Sequence, residues 1–255
     1  MTNVQSKDSE VSGSGIVIAI DGPSGSGKST VSRAVAAQLD LAYLDTGAMY
    51  RAATWWCLDR QIDLANIEEV SRVVRELPLE IDTNPAAPAI AVAGTDVTEA
   101  IRESRISRAV SSIATNLAAR AELVARQQEY VARGQRGALA PGGIIAEGRD
   151  ITTVIAPDAD VRILLIADEE ARLARRAQEV HGSAGTAALD ATRDEVLRRD
   201  RDDSTVAQFL EATDGVLTLD NSSQTPEESV AWVIEAVRKA RPDFEISGRS
   251  SRAGD

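Results

Sequence analysis

Five short apolar runs punctuate the chain, at residues 16–20, 41–44, 143–146, 161–166 and 216–219. Their shortness, their flanking Gly or Asp residues and their β-branched content predict strands rather than helices. Helical periodicity follows them. Val31, Ala34, Val35 and Leu39 fall on one face after the first run. After the last, Thr225-Pro226-Glu227-Glu228 reads as a capping box with proline at the first helical position, and Val230, Val233, Ile234 and Val237 form a single stripe. Strands that are apolar on both faces and alternate with helices predict an α/β fold, a doubly wound five-stranded parallel sheet with helices on both faces.

Two stretches break this rhythm. Residues 63–104 open with a helix capped by Asn66, with Glu69 three residues on and Val70, Val73, Val74 and Leu77 on one face. Short strand-like pieces around Asn-Pro and Gly turns follow, so a small α+β insert with antiparallel strands is expected there. Residues 168–210 are helical and crowded with Arg and Asp, and "HGSAGTAALDA" at 181–191 reads as a hinge. The expected organisation is a disordered tail at 1–14, a core of 15–62, 105–167 and 211–245, the insert at 63–104, a lid region at 168–210 and a frayed tail at 246–255. No internal repeat is evident.

Composition narrows the class. The chain has 255 residues, 43% of them hydrophobic, enough for one good core. A net charge of −12 argues against broad nucleic-acid binding, which needs a basic face. No apolar run approaches the roughly 20 residues that span a bilayer, and "MTNVQSKDSEVSGSG" lacks the regions of a signal peptide. The lone cysteine, Cys57, stands beside Trp55, Trp56 and Leu58 and is expected to be a buried thiol in a reducing, cytoplasmic compartment. Of the basic residues, only Lys7, Lys28 and Lys239 are lysine. Arginine is this chain's default cation, so an arginine stands out only through its context.

The one central lysine lies in a motif. Gly22-Pro23-Ser24-Gly25-Ser26-Gly27-Lys28-Ser29, followed by Thr30, matches G-x-x-x-x-G-K-[ST] between an apolar strand and a helix. Glycines there let successive backbone N–H groups converge on a phosphate at a helix N-terminus. Lys28 can reach the outer phosphates and the Ser29 hydroxyl can take a place on Mg²⁺. A cradle alone does not say whose phosphate is handled. A GTPase would normally carry an Asn-Lys-x-Asp base reader, and lysine only at 7, 28 and 239 argues strongly against one. Two strand ends carry acids that could face a metal, Glu147 in "GGIIAEGRD" and Asp168 in "VRILLIADEE", the latter reading equally as a helix N-cap. "LDTGAMYR" at 44–51 and "EGRD" at 147–150 add Arg51 and Arg149, able to clamp a second phosphate group opposite the first.

"GPSGSGKST", "LDTGAMYR", "IRESRISRAVSSIA", "EGRDITTVIAPDA" and "RRDRDDS", in this order, resemble the bacterial cytidylate (CMP) kinases, over residues 15–240 or so. The resemblance implies a nucleoside monophosphate kinase fold with a mobile lid. It implies ATP with Mg²⁺ in the cradle, CMP or dCMP as acceptor, and catalytic roles for Lys28, Arg51, Arg149 and Arg199. Thr46, Arg51, Ser111, Arg120, Arg149 and Asp150 would surround CMP, with Arg199 and Asp203 closing from the lid. The expected protein is a cytoplasmic monomer.

Base chemistry agrees with that assignment. Cytosine offers an N4–H₂ donor beside an N3 acceptor, and uracil reverses both. A carboxylate, Asp150, facing N4 and a donor, Arg120 or Ser111, facing N3 therefore select cytosine. The chain departs from the family at Val206, where a second lid arginine is usual, and Arg201 or Arg198 is the expected replacement. Thr152 replaces a glycine, which predicts a less permissive turn, and Ala156 stands where a phenylalanine is common. The alternatives are a kinase for AMP or UMP on the same core, and a nucleotide-binding regulator without activity.

Overall fold

The computed structural model describes residues 15–181 and 185–244. The tails expected at 1–14 and 246–255 lie outside that range. The core sheet is built from β1 (Ile16–Asp21), β2 (Ala42–Asp45), β6 (Gly143–Gly148), β7 (Val161–Ile166) and β8 (Leu217–Asp220), in the order β2-β6-β1-β7-β8. All four pairings are parallel. The five apolar runs thus become the five strands, each within a residue or two of its expected ends.

Period-two alternation explains the layers. Ile16, Ile18 and Ile20 of β1 point into one apolar cluster with α1 (Lys28–Leu39) and α8 (Pro226–Ala240). Val17 and Ala19 point into another, with Met49 of α2 (Thr46–Asp59) and Val131 of α5 (Leu117–Gln135). Both faces of β1 are therefore buried, and each of its isoleucines contributes on the order of 1.5–3 kcal/mol. The outermost strand differs: Leu217 of β8 is half exposed, because only one neighbour covers an edge strand. Helix α8 has the expected capping box, with Thr225 accepting from the Glu228 N–H and Glu228 from the Thr225 N–H.

The insert forms a third apolar cluster. Helix α3 (Ile67–Arg75) is capped by Asn66, which accepts from the Glu69 N–H at 3.1 Å. Its Val70, Val73 and Val74 pack on Ala52, Ala53 and Cys57 of α2. Strands β3 (Leu79–Asp82), β4 (Ala89–Val92) and β5 (Thr95–Asp96) form an antiparallel sheet whose last turn runs through Ala93 and Gly94 at positive φ. Cys57 is buried, and burial pushes its thiol up to about 11. A short 3₁₀ turn at Ala100–Arg102 leads into α4 (Ser104–Ala114).

Helices α6 (Glu169–His181) and α7 (Thr186–Ser204) make up the Arg- and Asp-rich region. The hinge expected at 181–191 is corrected here. Residues 182–184 lie outside the described range, and from Thr186 onward the backbone is already helical, because Ala187, Ala188 and Leu189 are good helix formers. No described helix is long and apolar enough to cross a membrane.

Candidate active site

The site sits at the carboxyl ends of β1, β2 and β6, beside the point where the chain crosses from one side of β1 to the other. The loop after β1 is forced to be glycine-rich by its neighbours. Gly22 has φ 153°, and a Cβ there would lie 2.1 Å from the Leu165 carbonyl oxygen. Gly25 has φ 76°, and its Cβ would lie 2.4 Å from the Arg172 carbonyl oxygen. Helix α1 then starts on Gly27 with no side-chain cap and no acid in its first turn, leaving its N–H groups and positive end to an anion. Lys28 is half-buried, with Nζ donating to the Pro23 carbonyl at 2.9 Å. Burial, reinforced by the Arg149 charge, pulls its ammonium down to about 8.

Strands β2 and β6 run in register, so Asp45 and Glu147 stand side by side. Asp45 caps α2, accepting from the Ala48 N–H at 2.9 Å and from Arg51 at 2.8 Å. Burial raises the Asp45 carboxyl, but the Arg51 guanidinium and the Ala48 N–H outweigh it and hold the group below its usual range. Thr46 donates to the Glu147 carbonyl at 2.7 Å, and the Tyr43 hydroxyl donates to the Glu147 carboxylate at 2.5 Å. Burial and the neighbouring Asp45 raise the Glu147 carboxyl. Asp168, by contrast, faces no site: it caps α6, accepting from the Ala171 N–H at 2.7 Å.

Beyond β6, Arg149 is held on every side. Its Nε donates to Asp203 at 3.1 Å, one terminal nitrogen to Asp200 at 2.9 Å and the other to the Gly22 carbonyl, while its guanidinium stacks 4.5 Å from the Phe209 ring centre. Asp150 pairs with Arg120 of α5 at 2.5 Å, and both are largely buried. The following π-helical turn, Ile151–Ile155, is fastened by a buried acid at the end of β1. Asp21 accepts from the Ile151 and Thr152 N–H groups, each at 2.8 Å, and from the Thr152 hydroxyl at 2.7 Å. Burial pushes Asp21 up to about 6, and the three donors oppose that rise. Thr152 was expected to stiffen the turn as a misfit for glycine. It instead supplies a hydrogen bond that glycine lacks, at a negative φ any residue can adopt. Ala156 is buried in the second apolar layer.

Helices α6 and α7 press on the loop. Arg172 of α6 donates to the Ser24 carbonyl at 3.1 Å and to Asp200, whose other oxygen accepts from the Ser24 N–H at 3.0 Å. Arg175 ties α6 to Asn221 after β8, and the Asn221 amide donates to the Ser26 carbonyl at 2.9 Å. Arg199 is largely buried, and its Nε makes no hydrogen bond but pairs with Asp203 at 3.8 Å. Burial, together with Arg149, pulls it down to about 10.

Two cavities meet at this loop, and both are lined by Lys28 and Ser29. The first is walled by six arginines, Arg51, Arg102, Arg120, Arg149, Arg176 and Arg199, in a chain of net charge −12. Such a concentration of guanidinium fits phosphate groups. Thr46, Glu147, Asp150 and Asp203 of the expected set also line it, with Ser24 and Gly25 of the loop. Gly27 and Thr30 line the second, beside Arg175 and Asn221.

Two expectations are corrected. Arg201 is exposed on the last turn of α7 and lines neither cavity, and Arg198 is exposed and pairs with Asp202 at 3.7 Å. Helical spacing explains this, since Arg199 and Asp203, four apart, face the site and Arg198 and Arg201 turn away. Arg176, which sequence reasoning missed, stands in the cavity instead. Ser111 is buried in α4, whose Ser107, Val110 and Ala114 form the cavity wall.

The family model described as Cytidylate kinase matches residues 18–239. The chain belongs to the cytidylate kinase family. It is 41% identical to the cytidylate kinase of Streptomyces griseus over 91% of this chain and 96% of that one. It is 43% identical to the cytidylate kinase of Cutibacterium acnes, over 89% and 98% of the two chains. With the cytidylate kinase of Bacillus cereus the identity is 36%, over 87% and 96%. Family membership explains why a nest for one phosphate chain and an arginine-walled cavity share a lysine: a kinase must bring two anionic substrates to one point.

Proposed function

We propose that the protein transfers the γ-phosphoryl group of ATP to CMP, and to dCMP, giving CDP or dCDP and ADP. The observation that carries the reading is the meeting of the two cavities at Lys28. ATP lies with its phosphates in the loop of residues 22–30, and the monophosphate enters the arginine-walled side. A CMP phosphate oxygen attacks the γ-phosphorus, a new P–O bond forms in line with the breaking bond, and the bridging oxygen leaves with ADP. The nucleophile is already anionic, so no general base is required. Lys28, Arg51, Arg149 and Arg199 neutralise charge on the transferring group, while the lid excludes water. Asp150 accepts from cytosine N4 and Arg120 donates to N3. Thr46 orients the acceptor end, and Asp203 faces the ribose.

Ser29 in the first turn of α1 and the carboxylates of Glu147 and Asp45 at the ends of adjacent strands are hard oxygen donors lining one cavity, which suits Mg²⁺. When bound, Mg²⁺ would screen the charge between the β- and γ-phosphates. One chain carries every group the reaction needs, so a monomer in the cytoplasm, where the ATP pool lies, is the working state.

Coupled measurement of ADP production with CMP, dCMP, UMP and AMP tests this. CMP and dCMP should exceed UMP in kcat/KM by at least about a hundredfold, because uracil offers Asp150 no donor and Arg120 no acceptor. They should also exceed AMP, because adenine, though alike in polarity on that edge, brings a second ring to seat. Equal turnover of UMP or AMP would reject cytosine as the acceptor base.

A further inference from the structure

Tyr50 and Gln127 stand out as polar groups without a use. The Tyr50 hydroxyl and both ends of the Gln127 amide are buried with no hydrogen-bond partner, and Gln127 is wholly excluded from solvent. Buried polar atoms are almost always satisfied, so three orphans in one place point to a missing partner. Their place is specific. Tyr50 lines the arginine-walled cavity together with Arg120 and Asp150. Gln127 follows Arg120 by seven residues on α5, two helical turns along the same face. Burial pushes the Tyr50 phenol well above its ordinary pKa, opposed by the Arg120 charge and by the Gln127 amide, which lies near enough to interact with the hydroxyl without forming a well-aligned hydrogen bond to it. The phenol is therefore a protonated donor at neutral pH.

Cytosine presents three polar atoms in a row on one edge, the N4 donor, the N3 acceptor and the O2 acceptor. Asp150 and Arg120 answer the first two in the reading above, on which this inference rests. The third needs a donor beside Arg120. We propose that Tyr50 is a specificity-determining residue whose hydroxyl donates to cytosine O2, and that Gln127 is a positioning residue whose amide donates to the same hydroxyl. Binding would then satisfy the Tyr50 oxygen as donor and acceptor together and give the Gln127 NH2 group a partner. Because O2 is common to cytosine and uracil, Tyr50 favours pyrimidines over purines. Discrimination between the two pyrimidines stays with Asp150 and Arg120.

The test uses Tyr50→Phe and Gln127→Leu in the full chain, with CMP, dCMP and the CMP analogue carrying sulfur in place of O2, a poor acceptor. Wild-type enzyme should prefer CMP to the thio analogue by about tenfold in kcat/KM, the scale of one neutral hydrogen bond. Tyr50→Phe should lose about tenfold with CMP, lose little with the analogue, and keep the CMP:dCMP ratio. Gln127→Leu should do the same, and the double variant should be no worse than either single one. Tyr50→Phe should also leave the melting temperature of the free enzyme unchanged or higher, since the hydroxyl makes no well-formed hydrogen bond there. A fall in melting temperature would mark a structural hydroxyl and overturn the proposal. So would unchanged kcat/KM with CMP, or a collapsed CMP:dCMP ratio, which would aim the hydroxyl at the ribose. Wild-type protein that does not turn over CMP would overturn the kinase reading itself, whereas an active wild type with an indifferent Tyr50→Phe overturns only the Tyr50 assignment.

Discussion

Asp200 reaches from α7 to accept the backbone N–H of Ser24 at 3.0 Å, joining that helix to the glycine-rich loop across 176 residues of sequence. The same carboxylate takes a terminal nitrogen of Arg149 at 2.9 Å and one of Arg172. A single buried acid thus binds the loop, the strand β6 exit and both lid helices into one network. Arg149 is a group proposed to meet the transferring phosphate, so Asp200 orients it before substrate arrives.

Removing Asp200 should therefore cost far more than removing a surface acid. Asp200→Ala leaves two largely buried guanidinium groups short of their counter-charge and the Ser24 N–H unbonded. Loss of one member of a buried ionic network costs about 3 kcal/mol or more. For a chain of this size the melting temperature should fall by about 6–12 °C in thermal unfolding. A drop under about 2 °C would show that water screens the network and that Asp200 does not hold the lid.

Lys28 gives a pH dependence of defined sign. Its ammonium is drawn down to about 8 in the free enzyme, first by burial and then by Arg149. A triphosphate in the loop restores the charge, so ATP binds the protonated form. Affinity for ATP should be level below about pH 7.5 and weaken as pH rises past 8, by up to about tenfold per unit. Calorimetry at pH 8.5 in two buffers of different ionisation enthalpy should register proton uptake on binding. Lys28→Ala should abolish both effects and lower kcat by about 10²–10³-fold. An affinity that is flat from pH 7 to 9.5 would mean that Lys28 is not the group that meets the phosphates.

The core was legible because its signals are local and redundant. Each strand of the sheet is a short apolar run closed by Gly or Asp, and burial of β1 on both faces follows from helices packing on both sides. The loop of 22–29 was legible because only glycine tolerates φ 76° with a neighbouring carbonyl 2.4 Å from its Cβ position. The lid was not. In a chain whose default cation is arginine, nothing local separates Arg176, in the cavity, from Arg201, exposed on α7. Only the packing of α6 against α7 decides it. The Asp21 clamp was hidden for the same reason, since its partners lie 130 and 131 residues away.

That clamp predicts a measurable role for Thr152. Thr152→Val keeps the shape and deletes the donor to Asp21, at a cost of about 1–2 kcal/mol. The sign of its pH dependence follows from Asp21, whose folded pKa of about 6 lies above its ordinary value of 3.8. Protonation therefore favours the fold, and that contribution fades as pH rises through 6. With one donor fewer, Asp21 rises further, so the variant's penalty in urea unfolding should be larger at pH 8 than at pH 5. KM for CMP should rise as well, because Asp150 immediately precedes the clamped backbone. A penalty equal at the two pH values would disconnect Thr152 from the Asp21 charge.

The arginines of the lid can be separated by kinetics. Val206 is half-buried just after α7 and lines neither cavity, whereas Ala207 beside it lines the first. A side chain longer than valine at 206 could reach that space. Arg176 already stands in the same cavity on α6, close enough to Arg199 for its charge to lower the Arg199 pKa. Arg176→Ala should lower kcat by about tenfold or more with KM for CMP changed only a few-fold, the pattern of a contact strongest in the transition state. Arg201→Ala should stay within about twofold of wild type, because that guanidinium is exposed on the outer face of α7. Val206→Arg adds a decisive arm. Alone it should be neutral or mildly harmful, as a further cation crowds a cavity with six arginines already in its wall. Combined with Arg176→Ala it should recover most of the lost kcat, since the two positions serve one phosphate-facing role from different helices. Failure of that rescue, with Arg201→Ala down by tenfold, would return the role to α7 and show that its last turn rotates on closure.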